Sequence, residues 1–208
     1  MGGPLGPPIR DAVIGRYSTF WIAMLPRSFL IVLMFFGLSA VSAPATDADA
    51  VGAFHHAVQV GDVQTVRTMI AADPSLATSR DKFGFQPIHL LDMYPEEQVL
   101  DLLLKNGADI NAANDEGVTI LHIITDPDTV SLLVRRGANI DARDEKGWTP
   151  LIMQANNQQN GPDVVAALLA QGADPNAEGS AGETALSFAK QTGDAALVRM
   201  LIASGAKK

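Results

Sequence analysis

Histidine, serine and paired carboxylates are the side chains of this chain whose types and spacing could support chemistry. The four histidines are His55, His56, His89 and His122. His55 and His56 are adjacent, so on a helix their side chains point apart. No third ligand lies near them in sequence, and a metal site needs several converging donors. No metal is therefore expected. Asp126-Pro127-Asp128 offers two carboxylates, but the same residues read better as a helix start. Asp126 is the cap, Pro127 the first helical residue, and Asp128 a partner for the positive end of the helix dipole. Gly179-Ser180-Ala181-Gly182 places a serine among glycines without the spacing of a nucleophile elbow. No phosphate loop, His-Glu-x-x-His or dinucleotide fingerprint occurs. No acid–base pair stands out, so no catalytic residue and no cofactor is assigned. The chain is read as a non-enzyme.

Composition narrows the classes further. The 208 residues are 47% hydrophobic, enough to bury a core. The absence of cysteine excludes disulfides, thiolate metal sites and a cysteine nucleophile. The formal charge is −8, and residues 1–45 hold Arg10, Arg16 and Arg27 against Asp11 alone, so the remainder carries −10. An acidic body repels phosphate backbones, and nucleic-acid binding is not expected.

Residues 1–45 read as an address rather than a fold. Arg27 precedes an apolar run from Phe29 to Val41, and Ser42-Ala43-Pro44-Ala45 follows. This is the order of a secretory signal: basic region, apolar region, small-residue cleavage site. Cleavage after Ala43-Pro44-Ala45 leaves Thr46 first and is preferred over cleavage after Val41-Ser42-Ala43, which leaves Pro44 first. Met24-Leu25-Pro26-Arg27 would make a conventional beginning, so translation is expected to start at Met24. The mature chain is expected in the periplasm or outside the cell. The alternative is a membrane anchor through residues 29–43, although the apolar run is shorter than the roughly 20 residues of a spanning helix.

The rest of the chain repeats. Four segments open alike, at Asp81-Lys82-Phe83-Gly84, Asn114-Asp115-Glu116-Gly117, Asp144-Glu145-Lys146-Gly147 and Gly179-Ser180-Ala181-Gly182, at intervals of 33, 30 and 35 residues. They close alike on Gly107-Ala108-Asp109-Ile110-Asn111-Ala112, Gly137-Ala138-Asn139-Ile140-Asp141-Ala142, Gly172-Ala173-Asp174-Pro175-Asn176-Ala177 and a truncated Gly205-Ala206. Two helical stretches lie between. The first starts at Gln86-Pro87-Ile88-His89, Thr119-Ile120-Leu121-His122, Thr149-Pro150-Leu151-Ile152 or Thr184-Ala185-Leu186-Ser187, where threonine can cap and proline can lead. The second starts at Pro95, Pro127 or Pro162, or at Gly61-Asp62 and Gly193-Asp194. It carries apolar pairs such as Leu102-Leu103 and Leu132-Leu133, and then a glycine suited to a left-handed helix end.

This pattern closely resembles the ankyrin repeat, whose Thr-Pro-Leu-His helix start and Gly-Ala-Asp-x-Asn-Ala close are both present. The resemblance covers Asp47 to Lys208, in repeats of about 47–80, 81–113, 114–143, 144–178 and 179–208. It implies an all-α fold, a solenoid of stacked antiparallel helix pairs with projecting β-turn fingers. It also implies that His89, His122 and the aligned His55 tie adjacent turns together by hydrogen bonds. Asp109, Asp141 and Asp174 are expected to order the finger turns. The first repeat lacks the glycine opening, as suits a terminal cap.

Two repeats depart from the common length. Only 20 residues separate Gly117 from Gly137, against 23 from Gly84 to Gly107, which predicts a clipped helix around Leu121–Ile124. The fourth repeat runs 25 residues from Gly147 to Gly172, and its polar stretch Gln154–Gly161 is expected to bulge as a loop between helices and to offer a second contact surface.

The family resemblance implies a protein partner, bound by fingertips and by the exposed side of the first helices. Interface energy concentrates in a few aromatic or arginine anchors. Phe83, Phe85, Trp148 and Tyr94 are the aromatic anchors expected here. The reading is an exported monomer that serves as adaptor, assembly helper or inhibitor of one envelope protein. Rival readings are an immunity protein against a toxic envelope enzyme, an effector sent to a host cell, and an enzyme of unrecognised chemistry.

Overall fold

A computed structural model describes residues 47–92, 96–157 and 161–207. The expected signal segment and Tyr94 lie outside the described residues. Thr46–Lys208 form one compact unit. Its α-helices are α1 (Asp47–Gln59), α2 (Val63–Ala72), α3 (Glu97–Lys105), α4 (Ile120–Ile123), α5 (Pro127–Arg135), α6 (Pro150–Asn156), α7 (Gly161–Ala170), α8 (Ala185–Thr192) and α9 (Ala195–Ala203), with 3-10 helices at Pro74–Thr78 and Pro87–Asp92. No strand occurs among the described residues.

The elements form two layers. α1, the 3-10 helix Pro87–Asp92, α4, α6 and α8 succeed one another as first helices of the repeats, each packed on the next. α2, α3, α5, α7 and α9 form the second layer behind them. This is the expected all-α solenoid of stacked helix pairs. Between the layers lie fully buried Phe54, Ile88, Leu100, Leu103, Ile120, Leu133, Leu151 and Leu168. Burial of each such side chain stabilises by up to about 1.5–3 kcal/mol. Only one member of each apolar pair on a second helix is in the core. Leu201 is fully buried, whereas its neighbour Ile202 is 53% exposed.

Local chemistry fixes where the helices begin. Asp126 accepts from the N–H groups of Asp128 and Thr129 ahead of Pro127, the cap expected from sequence. Asp62 caps α2 through Thr65, and Asp194 caps α9 through Ala196 and Leu197. Thr184 accepts from the Ser187 N–H while Ser187 Oγ accepts from the Thr184 N–H, a reciprocal capping box.

Two first helices are short. The third repeat has only the four residues of α4, the clipped helix expected from its length. Pro127 favours extended backbone at the preceding residue, and Asp126 sits at φ −97°, ψ 115°, so α4 has no room to continue. In the second repeat the first helix is a 3-10 segment of six residues rather than an α-helix. Gln86 stands there in place of the capping threonine.

The fourth repeat corrects the sequence expectation. Gln154, Ala155 and Asn156 belong to α6, so the extra length is not a loop from Gln154 onward. Gln154 is 2% exposed, and its amide Nε2 donates to the carbonyls of His122 (3.0 Å) and Ile124 (2.8 Å). These carbonyls stand at the end of the clipped α4, and the longer α6 supplies one donor to both. Residues 158–160 of the expected loop lie outside the described residues.

Candidate functional site

Each finger is a tight hairpin-like turn built by its own first residue. The carbonyls of Asp81, Asn114, Asp144 and Gly179 accept from the N–H of Gly84, Gly117, Gly147 and Gly182 at 2.9–3.1 Å. Their own N–H groups donate back to the carbonyls of Phe85, Val118, Trp148 and Glu183 at 2.8–3.0 Å. In the first three fingers the opening side chain completes the turn. Asp81 Oδ1 accepts from Phe83 and Phe85, Asn114 Oδ1 from Glu116 and Val118, and Asp144 Oδ1 from Lys146 and Trp148. The fourth finger opens on glycine, and Glu183 Oε2 accepts from the Ala181 N–H instead. The glycines adopt positive φ, and at Gly117 (φ 79°) an added Cβ would also lie 3.0 Å from Asp144 Cα of the next finger.

Neighbouring fingers are joined. The N–H groups of Asp115, Glu145 and Ser180 donate to the carbonyls of Phe83, Glu116 and Lys146 at 3.4, 3.0 and 2.8 Å. Arg80 reaches from its own finger (Gly84 O, 3.2 Å) to the next (Ala113 O, 2.7 Å), and Arg143 does the same with Gly147 O (2.8 Å) and Glu178 O (2.6 Å). Sequence reading missed both arginines. The available signal was that each stands one place before a finger opening.

The histidine ties form as the resemblance implied. Nδ1 of His89 accepts from the Gln86 N–H (3.1 Å), so the proton sits on Nε2, which donates to Val118 O of the next finger (3.1 Å). His122 likewise accepts from the Thr119 N–H and donates to Trp148 O, both at 3.1 Å. Burial pushes both imidazoles below their ordinary pKa, against smaller upward effects of these backbone bonds. His55 is also lowered by burial and meets Ser79 Oγ at 3.1 Å. Among the described residues no cluster of potential ligands could hold a metal ion.

The acidic residues of the repeat close act elsewhere than expected. Asp109 Oδ1 accepts from the Asn111 N–H, ordering the closing turn rather than a finger. Asp141 Oδ1 accepts from the Asp174 N–H of the following repeat at 3.0 Å. Asn111 and Asn176, at the position equivalent to Asp141, each make two such links. Asn111 donates to Gly137 O and accepts from the Asn139 N–H, and Asn176 donates to Gly205 O and accepts from the Lys207 N–H.

The expected aromatic anchors divide. Phe85 is 8% exposed and packs edge-on against His89, with ring centroids 5.4 Å apart. Trp148 is 9% exposed and packs edge-on against Phe188 at 5.0 Å. Phe85 is buried within its own repeat and Trp148 against the next, so neither ring is a surface anchor in this structure. Their position after the finger glycine turns them inward. Among the described residues the Trp148 Nε1 meets no partner with full hydrogen-bond geometry, although the Glu183 carboxylate lies beside it. Phe83 is half-buried at its fingertip, with the Lys82 ammonium 5.0 Å from the ring centre. The exposed tip side chains are Lys82, Asp115, Glu116, Glu145, Lys146 and Ser180.

A family model for ankyrin repeats (3 copies) matches residues 93–179 and, overlapping them, 124–208. Together these stretches span more than half of the chain. The chain belongs to the ankyrin repeat family. Ankyrin repeats generally mediate protein–protein interaction, and the family is typically a binding module rather than an enzyme. No curated protein matches the chain. The ankyrin match begins at residue 93, yet the finger at Asp81–Gly84 has the same turn bonds as the later fingers.

Proposed function

We propose that this ankyrin array is an exported binding module that holds one protein of the cell envelope, as adaptor, assembly helper or inhibitor. The observation that carries the reading is the row of fingers. Their tips are exposed, and backbone bonds and arginines fix them to one another before any partner arrives. A preordered surface loses little conformational freedom on binding. Mixed charge along the tips, from Lys82 through Asp115, Glu116 and Glu145 to Lys146, suits orientation and steering of a partner. Export rests on the sequence pattern of residues 27–45.

The test is a crosslinking pull-down from the envelope of the native cell. Glu116→Lys and Lys146→Glu reverse exposed tip charges whose loss leaves the turns intact, and each should weaken capture of the same partner. Undiminished capture by both variants would remove the ridge from consideration. N-terminal sequencing of the captured chain should begin at Thr46. Recovery only from the cytoplasm with residues 29–43 present would refute export.

A further inference from the structure

We propose that the joint between the second and third repeats is a salt-sensitive hinge, clamped by Arg136, about which the array flexes as two blocks. The inference does not depend on which partner the array binds.

Packing between the described helices of successive repeats is uneven, and at this joint it is least in both layers. The first helices that meet there are the shortest, a six-residue 3-10 segment and the four-residue α4. They therefore bring little surface together. Behind them α3 and α5 approach less closely than any other successive pair of second helices, whereas α5 and α7 are in broad contact. The fourth and fifth repeats have thin contact between α7 and α9, but α6 and α8 pack more extensively than any other pair.

Polar groups hold the weak joint. Arg136, half-buried just past α5, spreads its guanidinium between Glu97 and Asp101, four residues apart on α3. Further links include His89 to Val118 O, Arg80 to Ala113 O and, as a looser exposed ion pair, to Asp115 at 3.8 Å, Asn111 to Gly137 O, the Asn139 N–H to Asn111, and the longest of the three fingertip backbone bonds, Asp115 N–H to Phe83 O at 3.4 Å. On the far side of the third repeat, Gln154 locks α4 to α6 from within the core. The third repeat thus belongs mechanically with the fourth and fifth. The carboxylates of Glu97 and Asp101 are 60% and 57% exposed, so added electrolyte screens the clamp while leaving the apolar joints untouched. Opening the hinge would change the spacing between the Lys82–Phe83 tip and the three tips that follow.

Hydrogen exchange of the full chain, read by peptide, tests this at low salt and at about 0.5 M salt. Exchange in α1–α3 should rise about five-fold with salt relative to α6–α9, the scale of losing a modest ion-pair network. Arg136→Met should show the faster α1–α3 exchange already at low salt, with most of the salt response gone and only the looser Arg80–Asp115 pair left to screen. Glu97→Gln combined with Asp101→Asn should do the same, and unchanged α6–α9 protection would show that this variant is folded. Equal acceleration in both blocks, or a salt response undiminished in both variants, would overturn the hinge.

Discussion

His89 and His122 each use both ring nitrogens, one as acceptor within the repeat and one as donor to the next. Protonating Nδ1 would place a donor against a backbone N–H. Burial therefore holds the folded-state pKa below the unfolded value of about 6.5, and the unfolded chain takes up protons first as pH falls. Their contribution to stability is complete above pH about 6.5 and is lost progressively as pH falls below it toward the lowered folded-state pKa. Urea unfolding at about pH 7.5 and pH 5.5 should show a lower midpoint in acid. Replacing both histidines by glutamine should flatten that dependence; equal midpoints for the unchanged protein would contradict it. Gly179 makes a second residue-level case. A Cβ there would lie 2.7 Å from Trp148 Cδ1, so the indole packs on Phe188 only because no side chain intervenes. Gly179→Ala should destabilise by about 1–3 kcal/mol and shift Trp148 fluorescence. An unchanged midpoint and spectrum would show that the ring has room to spare.

Helices and turns show compensation between neighbouring repeats. Gln154→Ala would remove the amide donor to the His122 and Ile124 carbonyls, a loss of about 1–3 kcal/mol in chemical unfolding. A loss below half of that would mean that water takes the amide's place. Asp141→Asn should instead stabilise, by about 0.5–1.5 kcal/mol, because an amide there could donate to Gly172 O as Asn111 does to Gly137 O. A lower midpoint for this variant would break the equivalence of the closing turns. The sequence shows the caps and the clipped helix because each depends on residues a few places apart, as Asp126, Thr184 and the short span before Pro127 do. The histidine ties came through family resemblance. The role of Gln154 is not legible locally, because its partners lie about thirty residues back and become adjacent only when repeats stack. The same holds for Arg80 and Arg143. The burial of Phe85 and Trp148 is not legible either, because a place beside a tight turn does not say which way the side chain faces.

At the scale of the whole array, stacked helix pairs supply the stability and the fingers remain free of core duties at their tips. Within the described residues no helix is long and apolar enough to cross a membrane. Among the described residues the large hydrophobic side chains standing exposed are Val60 and Ile202, at 47% and 53%. The proposed recognition surface is the ordered, mixed-charge ridge. The most direct measurement is position-resolved photocrosslinking in the native envelope, with the reactive residue placed at Glu116 on a fingertip or at Arg199 on the outer face of α9. The ridge account expects one discrete partner adduct from position 116 and none from position 199. An adduct from position 199 alone would contradict it.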